Sequence, residues 1–167
     1  TAWANHAFNV STAGADGGAR STAVTIYDSR GEAHILTLNF ERVGEQEWDM
    51  TASLGDDDGA LTKSSITGIR FNGDGSFNSV ASGGATAYQL TIDYGAKADP
   101  QTLVLDFGAA GGFGGLTQFG GSSTATVTNQ DGYAAGTLTS FSIGSDGTIY
   151  GDYTNNQLEN LGQIMVA

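Results

Sequence analysis

The stretch "STAVTIYDSRGEAHILTLNFE", residues 21–41, decides the fold. Val24 and Ile26 alternate with Thr25 and Tyr27 before "DSRGE", and Leu36, Leu38 and Phe40 alternate with Thr37 and Asn39 after it. A period of two sends successive side chains to opposite faces of an extended strand, so the stretch reads as a β-hairpin with a short polar loop in which Gly31 supplies φ > 0. Trp48, Met50, Ala52 and Leu54 repeat the pattern as a third strand, which runs into "GDDDG". Further strands are predicted over 66–71, 88–94 and 102–107, separated by Gly- and Ser-rich turns. Six short antiparallel strands imply a small barrel or sandwich.

Beyond them the composition shifts. "GAAGGFGGLTQFGG", Gly108 to Gly121, has low complexity, although Phe113, Leu116 and Phe119 give it the means to dock on a surface, and a domain border is placed in or near it. Strands follow over 124–128, 137–143 and 148–153, the last two joined by "GSDG", a good hairpin turn. At the other end, residues 1–20 carry two aromatics, Trp3 and Phe8, among Ala, Gly, Ser and Asn, and read as an irregular lead-in or an edge segment. No long amphipathic helix is evident. The expected fold class is all-β: a small antiparallel β-barrel or sandwich, plus a second β-rich domain formed partly by the C-terminal segment.

Composition agrees with this and narrows the function. Glycine supplies 26 of 167 residues against an average of about 7%, with a single proline, Pro100, and no three-residue period, which excludes collagen. Eighteen carboxylates face six Lys and Arg, for a net charge of -12, and no basic residue follows Lys97. Such a chain repels polyanions, so neither nucleic acid nor an anionic membrane surface is an expected partner, and the charge is read as serving solubility. The absence of cysteine removes disulfides, thiolate metal sites and thiol nucleophiles together. No apolar run approaches the ~18 residues of a membrane span, and the chain is read as an excised piece of a longer one.

The motifs of catalysis are missing too. His6 and His34 are far apart in sequence and outside any H-E-x-x-H arrangement, and nucleophile-elbow, P-loop and dinucleotide-binding patterns are absent. Asp56, Asp57 and Asp58 offer oxygen ligands to a hard cation, but read more simply as a solvated loop tip. The Asp-Gly turns at Asp74, Asp131 and Asp146 resemble parts of a calcium loop, yet Arg70, Val127 and Ser142 stand where a first acidic ligand belongs. Tyr27, Trp48, Tyr88 and Tyr150 could stack sugars in an extracellular carbohydrate-binding or adhesive module, the reading kept as an alternative. No catalytic, cofactor-binding or metal-binding residue is assigned, and no cofactor is expected.

Two stretches carry a resemblance. Tyr27, Asp28, Ser29, Gly31, His34, Leu36, Phe40 and Trp48, within Val24 to Met50, match a pattern of bacterial flagellar hook proteins. The closing stretch is similar to the hallmark of the flagellar axial rod and hook family through Gln130, Asp131, Gly132, Gly136, Leu138, Asp146, Gly147, Gly151, Tyr153, Asn155, Leu161, Gly162, Gln163 and Ile164, and "LTQFGG" also fits. Asn156 departs from the pattern, which has Gly there; Asn tolerates φ > 0, so the turn is expected to survive. The resemblance implies an extracellular structural subunit, without enzymatic activity, of the curved tube that transmits torque from rod to filament as a universal joint. It further implies an outer β domain over 1–119, the returning half of an inner β domain over 120–167, and missing terminal helices through which such subunits polymerise. Other flagellar axial proteins are implied partners, and the isolated fragment is expected to be monomeric. A distal rod protein is the alternative within the same machine, against which the "YDSRGEAH" hairpin speaks. The acidic loop "GDDDG" and the turns near Gly73 and Gly83 are the candidate contacts between subunits.

Overall fold

The computed structural model describes residues 3–9, 19–55, 59–81, 83–120, 124–130 and 132–165. These hold strands and turns and no helix: β1 (Trp3–Asn9), β2 (Ala19–Tyr27), β3 (Ala33–Arg42), β4 (Glu47–Ser53), β5 (Ala60–Thr62), β6 (Ser65–Phe71), β7 (Phe77–Ser79), β8 (Ala87–Asp93), β9 (Gln101–Asp106), β10 (Thr124–Gln130), β11 (Leu138–Ile143), β12 (Thr148–Tyr153) and β13 (Leu158–Gln163). The all-β class read from the sequence is therefore the observed one.

The hairpin of residues 21–41 forms as expected, with Val24 opposite Leu36 and Ile26 opposite His34. It seeds an antiparallel sheet of order β2-β3-β4-β6-β7, in which Phe40 faces Met50 and Trp48 faces Ile69. A second sheet has the order β10-β1-β9-β8-β5. Its apolar side chains, among them Leu90, Ile92, Leu103 and Leu105, join Val24, Ile26, Leu36, Leu38, Trp48 and Met50 in one buried cluster, so the two sheets close on a shared core. Alternation is what makes this possible, because each strand presents its apolar set to one side.

The glycine-rich stretch is part of this unit and connects its two sheets. Leaving β9, Leu116 N–H returns to Phe107 O at 2.8 Å, while Gly111 N–H donates to Phe77 O of β7 at 2.7 Å and Gln118 N–H to Gly75 O at 2.9 Å. The excursion thereby covers the free edge of β7 and buries Leu116. Gly115 is required by close approach, since a Cβ there would collide with the carbonyl of Phe107. Gln118 is buried beneath it, accepting from Trp48 Nε1 at 3.3 Å and donating to Glu45 O at 2.8 Å.

Three features differ from the sequence reading. Residues 3–9, taken for a lead-in or an edge, form the interior strand β1, antiparallel to β10 and parallel to β9. Ala- and Asn-rich "WANHAFN" has weak intrinsic strand preference, and ladders on both sides supply what the sequence does not advertise. The three-residue strands β5 and β7 are too short to show a period. β13, "LENLGQ", carries its two leucines three apart and so hides its alternation. Among the confirmed details, Gly31, Gly147 and Asn156 have φ of 78°, 82° and 59°.

After β10 the chain crosses to a separate three-stranded antiparallel sheet, β11-β12-β13.

Candidate functional site

The site lies where the first hairpin meets the crossing to the C-terminal sheet. At the hairpin tip Asp28 Oδ1 accepts the backbone N–H groups of Arg30 at 2.8 Å and Glu32 at 2.9 Å. Its Oδ2 lies 3.5 Å from His34 Nε2, with both side chains almost wholly buried. The imidazole in turn rests on the Tyr94 ring at 4.8 Å, and Tyr94 Oη is 3.0 Å from Gln101 Oε1. Burial pushes the Asp28 pKa up, but the Glu32 and Arg30 amides and the neighbouring imidazole outweigh it and hold the carboxyl below its ordinary value of 3.8. Asp28, Glu32 and His34 each bring a ligand atom to within 4.8 Å of the others, and so could hold a metal ion. The structural use of the group is the one its bonds show: Asp28 already serves two amides and His34.

Gly31, at the apex, touches the chain that leads to the C-terminal sheet. Ala135 N–H donates to Gly31 O at 3.3 Å, and a Cβ on Gly31 would collide with the Ala135 backbone. Beside this contact runs an open polar cleft of about 920 Å³, bordered by Tyr27, Arg30, Gln101, Tyr133, Asn155 and Glu159. On its far wall Asn155 Nδ2 donates to Ala134 O at 2.9 Å.

The C-terminal sheet beyond has an unusual burial pattern. β11 is exposed at every position. Its register puts Leu138 opposite Tyr153, Phe141 opposite Gly151 and Ile143 opposite Ile149, so these share one face. A Cβ on Gly151 would meet Leu138 and Leu161, which places Leu161 on that face as well. Phe141 is 68% exposed and Ile143 54%, and Leu138 and Leu161 are about half exposed. The opposite face is mixed: Ser140 Oγ donates to Asp152 Oδ2 at 2.8 Å, and Leu158, paired with Asp152, stands exposed beside it. An exposed apolar sheet face of this kind is a candidate interaction surface.

Several residues singled out in the sequence take ordinary roles. Asp74 and Asp146 cap turns: each accepts the backbone N–H two residues on, from Ser76 and Thr148, at 3.0 Å. Asp56, Asp57, Asp58 and Asp131 lie outside the described residues, and so does the centre of "GDDDG". Gly73 and Gly83 are exposed, as a contact loop requires. Trp48 is 1% exposed and cannot stack a sugar, which removes the anchor of the carbohydrate-binding alternative. The matched C-terminal residues hold one another, with Gln163 Nε2 donating to Asp146 O at 3.0 Å and Gly136 pressed against Asn155. The open face and the Ala135 contact were missed by the sequence reading. The alternation of Phe141 and Ile143 in "LTSFSI" signals one buried face, which an irregularity between Leu138 and Ser140 extends to Leu138, but no single chain states what covers it. Among the described residues no helix is long and apolar enough to cross a membrane.

Comparison with known proteins adds a name to this architecture. The family described as "Flagellar basal body protein FlaE D2 domain" matches residues 2–133. The chain is 31% identical over 157 residues to the flagellar hook protein FlgE of Escherichia coli (strain K12), covering 94% of this chain and 37% of that protein. To the FlgE of Salmonella typhimurium it is 33% identical over 158 residues, with coverage of 94% and 37%. The crystal structure of Helicobacter pylori flagellar hook protein FlgE2 superposes with a TM-score of 0.50 at 16% identity, over 87% of this chain and 32% of that one, and so shares the fold. The chain thus spans little more than a third of the length of these curated relatives. With a match running from before β1 to the crossing after β10, the chain belongs to the family of flagellar basal body protein FlaE D2 domains.

Proposed function

We propose that this chain is part of a structural subunit of the bacterial flagellar hook, outside the cell, and that it works by bearing load rather than by catalysis. The observation that carries the reading is the open apolar face of β11 and β13, on a chain whose relatives are much longer. β1 and β10 lie side by side, with Ala4 opposite Gln130, so the chain enters the two-sheet unit next to where it leaves. A unit with its ends together is the geometry of an insertion. The sheet β11–β13 is then the returning half of an inner domain, and chain preceding residue 1 emerges beside it, placed to cover its apolar face. The border drawn at residue 119 leaves β10 on the returning side, although its ladder joins the outer unit. We propose that the functional break lies at the crossing over 132–136.

Partners in this reading are further copies of the same subunit and other flagellar axial proteins, met through terminal segments outside this sequence and through exposed polar turns such as those at Gly73 and Gly83. Small polar contacts exchange readily, which suits a tube that bends while it turns. The test is complementation: the full-length protein, supplied to flagellated cells lacking their hook subunit, is expected to restore hooks visible by electron microscopy, together with swimming. Secreted full-length protein that forms no tube contradicts the proposal.

A further inference from the structure

The crossing over 132–136 is held very differently on its two sides. Toward the C-terminal sheet, Ala134 O accepts from Asn155 Nδ2 at 2.9 Å, Thr137 N–H donates to Thr154 Oγ1 at 2.9 Å, and Thr154 N–H returns to Thr137 O at 2.9 Å. Asn155 is itself fixed by the N–H of Gln157 on its Oδ1 at 3.2 Å, and Gly136 packs against its carboxamide. Toward the outer unit, among the described residues, the backbone hydrogen bond is Ala135 N–H to Gly31 O, at 3.3 Å, on the rim of an open cleft. A single long hydrogen bond beside open solvent is weaker than a cooperating set, so of the two sides this is the one that parts first.

We infer that residues 134–137 are a rigid extension of the C-terminal sheet, and that the Gly31–Ala135 contact is a latch that parts when the two units change their angle, with the pivot on the outer-unit side of Ala134. The geometry at the tip fits a latch. Asp28 locks the hairpin from inside through two amides and His34, so Gly31 is presented on a stiff support. Lacking a side chain, Gly31 lets backbone meet backbone, and any Cβ there would hold the latch open. Hinges commonly concentrate their motion in a few residues at element ends in this way. The inference concerns the chain itself and stands whatever the assembled partner.

The natural absence of cysteine makes the test direct. Ser53 at the end of β4 and Ser142 in β11 are both exposed, and a pair of spin labels at S53C and S142C reports the distance between the units. The parent chain is expected to give one narrow distance peak. Ala135→Pro, which removes the donor N–H and leaves the hairpin unaltered, and Gly31→Ala, which leaves the crossing unaltered, should each lose that peak to a broad distribution. Amide exchange should show the β12 amides of both variants still protected, with the Ala135 amide of Gly31→Ala deprotected. A broad distribution in the parent, or a narrow peak kept by either variant, overturns the latch. Loss of β12 protection also overturns it, because the tip would then be supporting the sheet's fold.

Discussion

At the scale of single residues, aspartate is the recurring device. Asp28, Asp74, Asp93, Asp106 and Asp146 each accept a backbone N–H two residues further on, so part of the chain's acidity is turn chemistry rather than surface decoration. Asp28, Asp74 and Asp146 have pKa values lowered from 3.8. A lowered folded-state value stabilises the fold above the unfolded pKa, and the contribution disappears as pH falls through the lowered value. Stability to urea is therefore expected to be flat above about pH 5 and to fall steadily below the ordinary value of 3.8, measured as the midpoint of a tryptophan fluorescence transition. Asp28→Ala should cost about 2 kcal/mol in the same assay and flatten the acid limb, because two amides lose their acceptor and His34 its carboxylate neighbour. The turn-capping aspartates and Gly31 are legible in "YDSRGE" and "GSDG", since local geometry demands those residue types. The Asp28–His34 pair is legible only in part: the two residues stand six apart in sequence, and burial, which gives their meeting its weight, is a property of the folded core.

At the scale of elements, legibility follows periodicity. Strands β2, β3, β4, β6, β8 and β9 bury apolar residues against the common core, and each of them, like β12 of the separate sheet, is read from the sequence within a residue or two. β1 and β13 lack that alternation and are set by their neighbours. β11 has the alternation without the burial, and this contrast is testable. Leu38→Ala in β3, at a fully buried position, should destabilise the chain by about 3 kcal/mol, as core truncations do. Phe141→Ser in β11 removes a larger side chain, yet should shift the urea midpoint by less than about 0.5 kcal/mol in the isolated chain, because its ring is already in water. A large loss at Phe141 would mean that the face is covered within this chain after all.

At the scale of the whole molecule, two opposed terms set the behaviour of the isolated chain. The net charge of -12 keeps copies apart, and the open face of β11 and β13 draws them together. In dilute solution at low salt a monomer is expected by light scattering. Raising the salt to about 1 M shortens the screening length to roughly 3 Å and should bring association, which Leu161→Glu on the apolar face abolishes. What no single chain reveals is the identity of the segment that covers this face, because a sheet's sequence records only that a partner exists. The central claim is that the face is completed within one hook subunit, by chain that enters beside β1. Cryo-electron microscopy of the tube assembled from the full-length protein tests it most directly. The account predicts that Phe141, Ile143 and Leu161 pack beneath residues N-terminal to this sequence in the same subunit. A map that shows these side chains in solvent, or covered by a neighbouring subunit, would contradict it.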